Sequence, residues 1–324
     1  MAKGSNATRP TWARRLVSQL SDVLGKSPLA NIIFDPVLGW RRAPGRARAA
    51  IGDSITWEWD IDPTGFRRLP NARPGKGQKK VWVFGCSFTE GQCLPIEQTY
   101  CYLLQDRFGG AEIQPYAIAG YSSFQNLLQL QANLMTSKPD VVVFGYFHFH
   151  LIRNVAHPIL WKNRHSHPAF GRLQKVGSRS TEIFRPAAFI NEFGKLNFRK
   201  VNMPLSEQEY EGMMAYAPDR FTRHQISCRV FEEARALTEA AGAKFVVAVL
   251  RSGDSIEAKE VDKTPPMETM FVKQLLERGF DVVDADPNKP FEDISFYPTD
   301  IHPNSSANKH FAAVIGEKLD TMLN

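Results

Sequence analysis

From residue 79 onward, the apolar positions of the chain follow two alternating patterns. Short continuous apolar runs, such as DVVVFGYF at 140–147, are typical of strands buried on both faces. Between these runs, apolar residues recur every three or four positions, which predicts helices. The alternation therefore predicts an α/β fold with a parallel sheet covered on both faces. The predicted strands are 80–85, 112–118, 140–147, 243–250 and 280–285, and the predicted helices are 97–108, 123–136, 225–242, 267–278 and one starting at 304.

Two stretches depart from this alternation. Residues 151–222 are rich in aromatic, basic and proline residues without clear periodicity, which predicts an irregular cap or substrate-binding insertion. Residues 27–78 are rich in Pro, Gly and Arg, with one patch, at 55–67, that has the pattern of a strand and a turn. We therefore expect a basic N-terminal extension at 1–78, wrapping or flexible, followed by one domain at 79–324.

The composition is that of a globular protein. Of the 324 residues, 43% are hydrophobic and 23% are charged. No window approaches the length of about 18 apolar residues that a transmembrane helix needs. The start of the chain lacks the apolar core and cleavage site of a signal peptide, so a cytoplasmic location is expected.

The formal charge of +6 is concentrated near the N-terminus. Residues 1–80 hold 15 Lys or Arg and 6 Asp or Glu, so the rest of the chain is slightly acidic. The basic residues are scattered among Pro and Gly, which favours a solvated arm over a nucleic-acid-binding motif. An amphipathic stretch at 12–24 predicts a helix that docks on the domain or makes peripheral contact with a membrane surface.

A candidate nucleophile lies where the first predicted strand ends. In the segment VWVFGCSFTEG, the apolar run stops at Gly85 and Ser87 follows on the turn that leaves the strand. A hydroxyl in this position is exposed, and nearby backbone N–H groups can face a developing oxyanion. The neighbouring Cys86 is expected to be buried, because in an extended segment its side chain points away from that of Ser87.

A candidate base lies more than two hundred residues further along. In TDIHPNSSANKH, Asp300 precedes His302 by two residues in a loop before the final helix. A serine hydroxyl is activated when an imidazole takes its proton and a carboxylate orients that imidazole. The sequence therefore predicts a triad of Ser87, His302 and Asp300.

Three segments together resemble a known enzyme family. GCSFTEG, Gly120 within AIAGYSSFQ, and DIHPN resemble the first, second and fifth sequence blocks of the SGNH, or GDSL-like, hydrolases. The resemblance covers roughly 80–150 and 225–324. It implies a flavodoxin-like three-layer α/β/α sandwich and an oxyanion hole formed by the backbone N–H groups of Ser87 and Gly120. DPVLGW and DPTGFR also resemble extensions of bacterial proteins associated with surface polysaccharides.

The third block of that family departs from the pattern. The family has a Gly-x-Asn-Asp segment whose asparagine is an oxyanion donor, whereas this chain reads FGYFHFHLIRN. His148, His150 and Asn154 are candidates to replace that donor, and Arg153 is a candidate to bind an anionic substrate group. The alternatives are a structural role for the two histidines and a zinc site formed by His148, His150 and His157.

These observations favour a serine esterase or deacylase of the SGNH type, without a cofactor. It would act through an acyl-enzyme on an ester, for which an O-acylated carbohydrate is a candidate. An acyltransferase with the same triad is a close alternative, because a sugar hydroxyl can replace water as the acceptor. A phosphate-binding module would use the Ser/Thr-rich loop at a helix N-terminus, but it gives Asp300 and His302 no role. A non-catalytic relative that binds glycans is a further alternative.

Overall fold

Strands and helices alternate along most of the chain in the computed structural model, which describes residues 31–51, 54–73, 75, 77–161, 184–202, 206–250, 267–287, 289–296 and 298–324. The strands are β1 (Ile32–Asp35), β2 (Gly39–Arg42), β3 (Gly45–Ile51), β4 (Ile55–Ile61), β5 (Lys79–Gly85), β6 (Ala111–Ala117), β7 (Val141–Tyr146), β8 (Phe184–Ile190), β9 (Leu196–Asn202), β10 (Lys244–Val249), β11 (Val282–Asp284), β12 (Ser295–Phe296) and β13 (Asp300–Pro303). The α-helices are α1 (Ser87–Glu90), α2 (Tyr100–Arg107), α3 (Ser123–Leu134), α4 (Phe149–Asn154), α5 (Glu207–Ala215), α6 (Arg220–Ala240), α7 (Met267–Glu277), α8 (Phe291–Ile294) and α9 (Ser305–Leu323).

The five central strands form one parallel sheet in the order β6-β5-β7-β10-β11. The first strand of the sheet lies inside it and the second lies at its edge, which is the flavodoxin-like order. Each predicted strand is present, and each predicted helix has a counterpart whose ends differ by up to five residues. The prediction of a flavodoxin-like α/β/α sandwich is therefore confirmed.

Alternate side chains of the sheet pack into two helical layers. In β5, Trp82 and Phe84 belong to a core cluster that also contains residues of α3, α6 and α7. Val81 and Val83 belong to a second cluster with residues of α2 and α9. Because both faces are covered, β5 is apolar at consecutive positions instead of alternating with polar ones.

A close approach of backbone and side chain shapes the turn after β5. A Cβ atom on Gly85 would lie 1.9 Å from Oγ1 of Thr89, so a larger residue would force α1 away from the strand. The hydroxyl of Tyr100 donates a hydrogen bond of 2.9 Å to the same Oγ1 atom. These contacts hold α1 against the carboxyl edge of the sheet.

The insertion predicted as irregular contains regular elements in its described part. β8 and β9 pair as an antiparallel hairpin, and α5 follows it. The hairpin lacks a clear sequence pattern because most of β9 is exposed and mixes charged with apolar residues. The next helix, α6, begins five residues before its predicted start, because the Asp219 side chain accepts a hydrogen bond of 2.7 Å from the Thr222 backbone and caps it.

The described residues before the sheet form two further hairpins, β1–β2 and β3–β4. Trp40 of β2 clusters with Ile118 and Tyr121, which follow β6, and Trp59 of β4 clusters with Cys93. These hairpins thus lie at the carboxyl edge of the sheet. The amphipathic stretch predicted at 12–24 lies outside the described residues, and no described helix is both long enough and apolar enough to cross a membrane.

Candidate active site

Ser87 is the first residue of α1, directly beyond the carboxyl end of β5. The residue is 4% exposed, so the exposed hydroxyl expected at this turn is wrong: Ser87 is buried, and its hydroxyl makes no hydrogen bond with any described residue. The backbone N–H of a first helical residue has no acceptor within the helix. Among the described residues, neither this N–H nor that of Gly120 donates a hydrogen bond. Both groups therefore lack an acceptor among the described residues.

Asp300 and His302 form a side-chain pair on β13. The carboxylate of Asp300 accepts hydrogen bonds from Nδ1 of His302 and, at 2.8 Å, from its backbone N–H. An imidazole that donates through Nδ1 has Nε2 as its basic nitrogen. Burial raises the pKa of Asp300, but the hydrogen bonds and charge of His302 outweigh burial, and the pKa lies below its usual value. The carboxylate is thus ionised at neutral pH.

The fold brings these two distant segments together. The ring of Phe88, the residue after Ser87, packs edge-to-face on the imidazole of His302, with 5.5 Å between ring centroids. Nε2 of Gln92 lies 3.5 Å from Nδ1 of His302. No hydrogen bond joins the Ser87 hydroxyl to His302 among the described residues. Catalytic hydrogen bonds are often long without substrate and shorten in the substrate complex.

Cys93 is a site residue that the sequence did not single out. Its thiol sulfur, a carboxylate oxygen of Asp300 and a ring nitrogen of His302 lie within 4.8 Å of one another. Burial and the charge of Asp300 raise the pKa of the thiol, which therefore stays protonated and interacts with the carboxylate as a donor. The backbone of Cys93 has a φ of 71°, a conformation that costs a non-glycine residue about 1 kcal/mol or more.

The loop after β6 presents Gly120 beside the helix of Ser87. Gly120 has a φ of 82°, which favours glycine, while the space at its Cβ position is open enough for van der Waals contact with Trp40. The backbone N–H of Ala119 donates a hydrogen bond of 2.8 Å to Oε2 of Glu90 in α1. The indole N–H of Trp40 donates to the Ala119 carbonyl at 3.2 Å.

Two buried arginines from the described residues before β5, Arg42 in β2 and Arg67 after β4, hold the other side of α1. The guanidinium of Arg42 pairs with the carboxylate of Glu90 and stacks on Trp59, 4.0 Å from the ring centroid. Arg67 donates hydrogen bonds to the carbonyls of Glu90 and Gly91 at 3.0 and 2.8 Å. Burial lowers the pKa of Arg67 to about 10, which leaves it charged at neutral pH. The sequence signal for this network is weak, because arginines in a basic segment are usually exposed.

The four candidates near the end of β7 have different environments. Asn154 is fully buried, its Oδ1 accepts the Phe124 N–H at 2.9 Å, and its Nδ2 donates to the Ser227 hydroxyl at 2.9 Å. These bonds already use its amide. His150 is also fully buried, with its Nδ1 2.8 Å from the hydroxyl of Ser123.

His148 and Arg153 lie nearer to the surface than those two residues. His148 is 7% exposed, and its imidazole packs against the rings of Phe147 and Phe149, with 4.1 and 4.7 Å between ring centroids. Burial, and then the charge of Arg153, lowers the pKa of His148 to about 3, so its ring is neutral. Nη1 of Arg153 donates to the Tyr121 carbonyl at 3.3 Å.

The three histidines considered as zinc ligands do not form a ligand cluster. Within the described part of the chain, Cys93, Asp300 and His302 are the group whose donor atoms lie close enough together to share a metal ion. His157 instead accepts a hydrogen bond from the Ile159 backbone at 3.2 Å.

No protein-family model and no curated protein matches the sequence. Similar solved structures include a lipolytic G-D-S-L family protein from Veillonella parvula, with 11% identity, a TM-score of 0.44, and coverage of 74% of this chain and 97% of that protein. The structure of TesA has 14% identity and a TM-score of 0.44, and the match covers 75% of this chain and 99% of TesA. An acetyl xylan esterase has 13% identity and a TM-score of 0.42, and the match covers 74% of this chain and 99% of the esterase.

Several of these structures carry names of the family that the sequence blocks resemble. At such identities and TM-scores the similarity carries no conclusion about the chemistry of this chain. The chemistry of the site rests on its own residues.

Proposed function

We propose that this protein is a serine ester hydrolase of the SGNH type, with Ser87 as nucleophile, His302 as base and Asp300 as the group that orients His302. The observation that carries the proposal is the Asp300–His302 pair packed against α1, whose first residue is Ser87. A phosphate-binding loop would need no such pair. The ionised carboxylate also stabilises the imidazolium that forms when His302 takes a proton.

The reaction proceeds in two balanced steps. Oγ of Ser87 attacks the ester carbonyl while its proton passes to Nε2 of His302, and the tetrahedral intermediate expels the alcohol, which takes that proton. Water then attacks the acyl-enzyme and gives a proton to His302, and His302 passes that proton to Oγ of Ser87 as the second tetrahedral intermediate releases the carboxylic acid. Asp300 holds the imidazole in the same orientation during both steps.

The backbone N–H groups of Ser87 and Gly120 stabilise the oxyanion in this mechanism. Their lack of acceptors among the described residues supports this role. His148 is the candidate for a third donor, because a neutral imidazole carries one N–H and does not compete with His302 as a base. The amide of Asn154 has its own partners, and His150 lies deeper in the core.

The proposed substrate is a small-molecule or carbohydrate ester. The acetyl xylan esterase among the similar structures acts, by its name, on an acetylated polysaccharide. An O-acylated carbohydrate is the corresponding proposal for this chain.

Covalent labelling tests the nucleophile without knowledge of the natural substrate. A fluorophosphonate probe is expected to label the wild-type protein at Ser87, as identified by peptide mass spectrometry. Ser87→Ala abolishes labelling, and His302→Ala slows it by about a thousandfold or more. Ser306→Ala, which replaces an exposed serine of α9, is the matched control and labels normally. Labelling that survives in Ser87→Ala contradicts the proposal.

A second measurement separates hydrolysis from acyl transfer. The wild-type protein is incubated with a short-chain p-nitrophenyl ester, with and without a sugar acceptor, and the products are identified by mass spectrometry. Free acid as the main product supports a hydrolase, whereas acylated sugar identifies a transferase with the same triad. Labelling with neither product after a range of esters would favour a binding protein that retains a reactive serine.

A further inference from the structure

A cavity that shares no lining residue with the candidate active site lies between the β8–β9 hairpin and the start of α6. We call it the hairpin cavity. Its volume is about 340 Å³, and ligand pockets in proteins begin at about this size. The residues that line it come from β8, β9, the residue after α4 and the segment around the start of α6. None of them belongs to α1, the Gly120 loop or β13.

The wall of the hairpin cavity is mainly apolar. Six of its side chains are aliphatic or aromatic, namely Val155, Ala187, Ala188, Phe189, Ile190 and Ile226. Phe189 and Ile190 are each 37% exposed, so part of this wall is in contact with water. Contiguous apolar surface with polar groups at its edge is typical of binding sites, because binding removes that surface from water. The wall therefore favours a ligand with an apolar part.

A cation lies at the rim of this wall. Arg199 of β9 lies opposite Ala187 in the register of the hairpin, so both side chains are on the same face. The Arg199 guanidinium forms no hydrogen bond and no ion pair with the described residues. The exposed side chain of Gln225 lines the same cavity. Because an arginine fork forms paired, charge-assisted hydrogen bonds with a carboxylate, the rim suits an anionic group.

The charged residues next to Arg199 in the chain and around the cavity have other contacts. The carboxylate of Asp219, which precedes α6, accepts the Thr222 N–H at 2.7 Å and caps the helix. Its charge thus faces the positive end of the helix dipole. Lys200, the residue after Arg199, is on the opposite face of the hairpin, where its ammonium lies 4.6 Å from the ring centroid of Phe184. Arg199 therefore keeps its charge for a ligand.

We infer that the hairpin cavity binds a medium-chain carboxylate, with the alkyl chain against the apolar wall and the carboxylate on Arg199. A volume of about 340 Å³ corresponds to roughly eleven groups of about 30 Å³, the space of one water molecule in the liquid. A single chain of about eight to ten carbons fits this space, whereas a two-chain lipid does not. The inference goes beyond the proposed function, since no lining residue takes part in the serine chemistry.

Calorimetry of the wild-type protein with two series of ligands tests the inference. From hexanoate to octanoate to decanoate, Kd is expected to fall about three- to fourfold for each added methylene group, because each one leaves water. Between decanoate and dodecanoate Kd should change little, because the cavity is then full. Decanoate should bind about tenfold more tightly than decanamide, which lacks the charge. Absence of decanoate binding, or equal binding of decanamide, overturns the inference.

Variants of the rim locate the ligand. Arg199→Gln should bring the ratio of the two Kd values, for decanamide and decanoate, close to one. Arg48→Gln, which replaces an exposed arginine of β3 that does not line the cavity, is the matched control and should keep the wild-type ratio. Gln225→Trp fills the cavity from its rim and should weaken the binding of both ligands about tenfold or more. Ala236→Trp, at an exposed position of the same helix outside the cavity, should not.

Unaltered decanoate binding in both Arg199→Gln and Gln225→Trp overturns the location. Thermal unfolding of each variant verifies that the comparison is made on folded protein. If decanoate does not bind, while sedimentation shows a dimer that Gln225→Trp dissociates, the cavity belongs to an interface between two copies of the chain and the inference is wrong.

Probe labelling separates this result from the fate of the proposed function. If the serine chemistry is wrong, the fluorophosphonate does not label Ser87, while decanoate still binds and still depends on Arg199. If the hairpin cavity is wrong, labelling succeeds while decanoate does not bind. Saturating decanoate should leave the labelling of Ser87 intact, because the two sites share no residue. Decanoate that blocks labelling would occupy the active site, which overturns the inference.

Discussion

Arg42 and Glu90 form an ion pair whose side chains are 0% and 1% exposed. Nη2 of Arg42 lies 3.1 Å from Oε2 of Glu90, and the same oxygen accepts the backbone N–H of Ala119. One carboxylate thus connects the N-terminal hairpins, the helix that begins at Ser87 and the loop that carries Gly120. The described part of the extension therefore contributes to the geometry of the candidate site.

Removing one charge of this pair should destabilise the protein strongly. Glu90→Gln keeps an acceptor for the Ala119 N–H but leaves the Arg42 cation buried without its carboxylate, which costs about 3–5 kcal/mol. Arg42→Met/Glu90→Gln removes both charges and should recover part of that loss. Urea denaturation measures both free energies of unfolding.

The surface pair of Arg107 and Asp320 is the control for this experiment. Its side chains are 38% and 47% exposed, so Asp320→Asn should change the free energy of unfolding by less than about 1 kcal/mol. A Glu90→Gln protein no less stable than Asp320→Asn would contradict the role assigned to the buried pair.

Cys93 is expected to position Asp300. Cys93→Ala removes the thiol beside the carboxylate and should lower kcat about five- to tenfold with little change in KM, which corresponds to the loss of about 1 kcal/mol. Cys93→Ser keeps a donor and should retain most of the activity. Both variants keep the same backbone strain at φ 71°, so the comparison isolates the side-chain donor. The idea fails if the alanine and serine variants turn over esters equally well.

His148 should make the protein less stable in acid. Its pKa falls from 6.5 to about 3 on folding, mainly through burial, so the unfolded chain binds one more proton between these values. The free energy of unfolding is therefore unaffected by His148 above about pH 6.5. It falls by about 1.4 kcal/mol for each pH unit as the pH decreases from there toward 3. In His148→Phe, the slope of unfolding free energy against pH, measured between pH 6 and pH 4, should be shallower by that amount. Identical slopes would show that the unfolded and folded chains protonate this residue alike.

Asn154 is expected to stabilise the fold through its hydrogen bonds. Asn154→Ala leaves the Phe124 N–H without its acceptor and the Ser227 hydroxyl without its donor, which costs about 1–3 kcal/mol for each buried group. Asn126 is equally buried, but its amide has no partner among the described residues. Asn126→Ala creates a cavity of the same kind without breaking hydrogen bonds, and chemical denaturation of the two variants gives the difference. If the free energy of unfolding fell by the same amount in both variants, the hydrogen bonds of Asn154 would not contribute to stability.

The layers of the fold were predictable because they depend on local periodicity. Val81 to Phe84 are consecutively apolar, and such a run fits a strand that packs against helices on both faces. The β8–β9 hairpin had no comparable pattern, because β9 is mostly exposed and mixes charged with apolar residues. Its position over α3 and α6 depends on contacts between residues far apart in sequence.

The sequence by itself identified the candidate catalytic segments of this protein, since a serine at a strand end and an Asp-x-His loop are local patterns. It also determined the parallel sheet whose carboxyl edge holds the first of them. Only the tertiary structure decided that Arg42 neutralises Glu90, that Cys93 lies beside Asp300, and that Arg199 lines the hairpin cavity. A charged side chain has no periodicity that identifies its partner. Burial and distance, which appear only when the chain is folded, distinguish a solvated arginine from one that holds a site together.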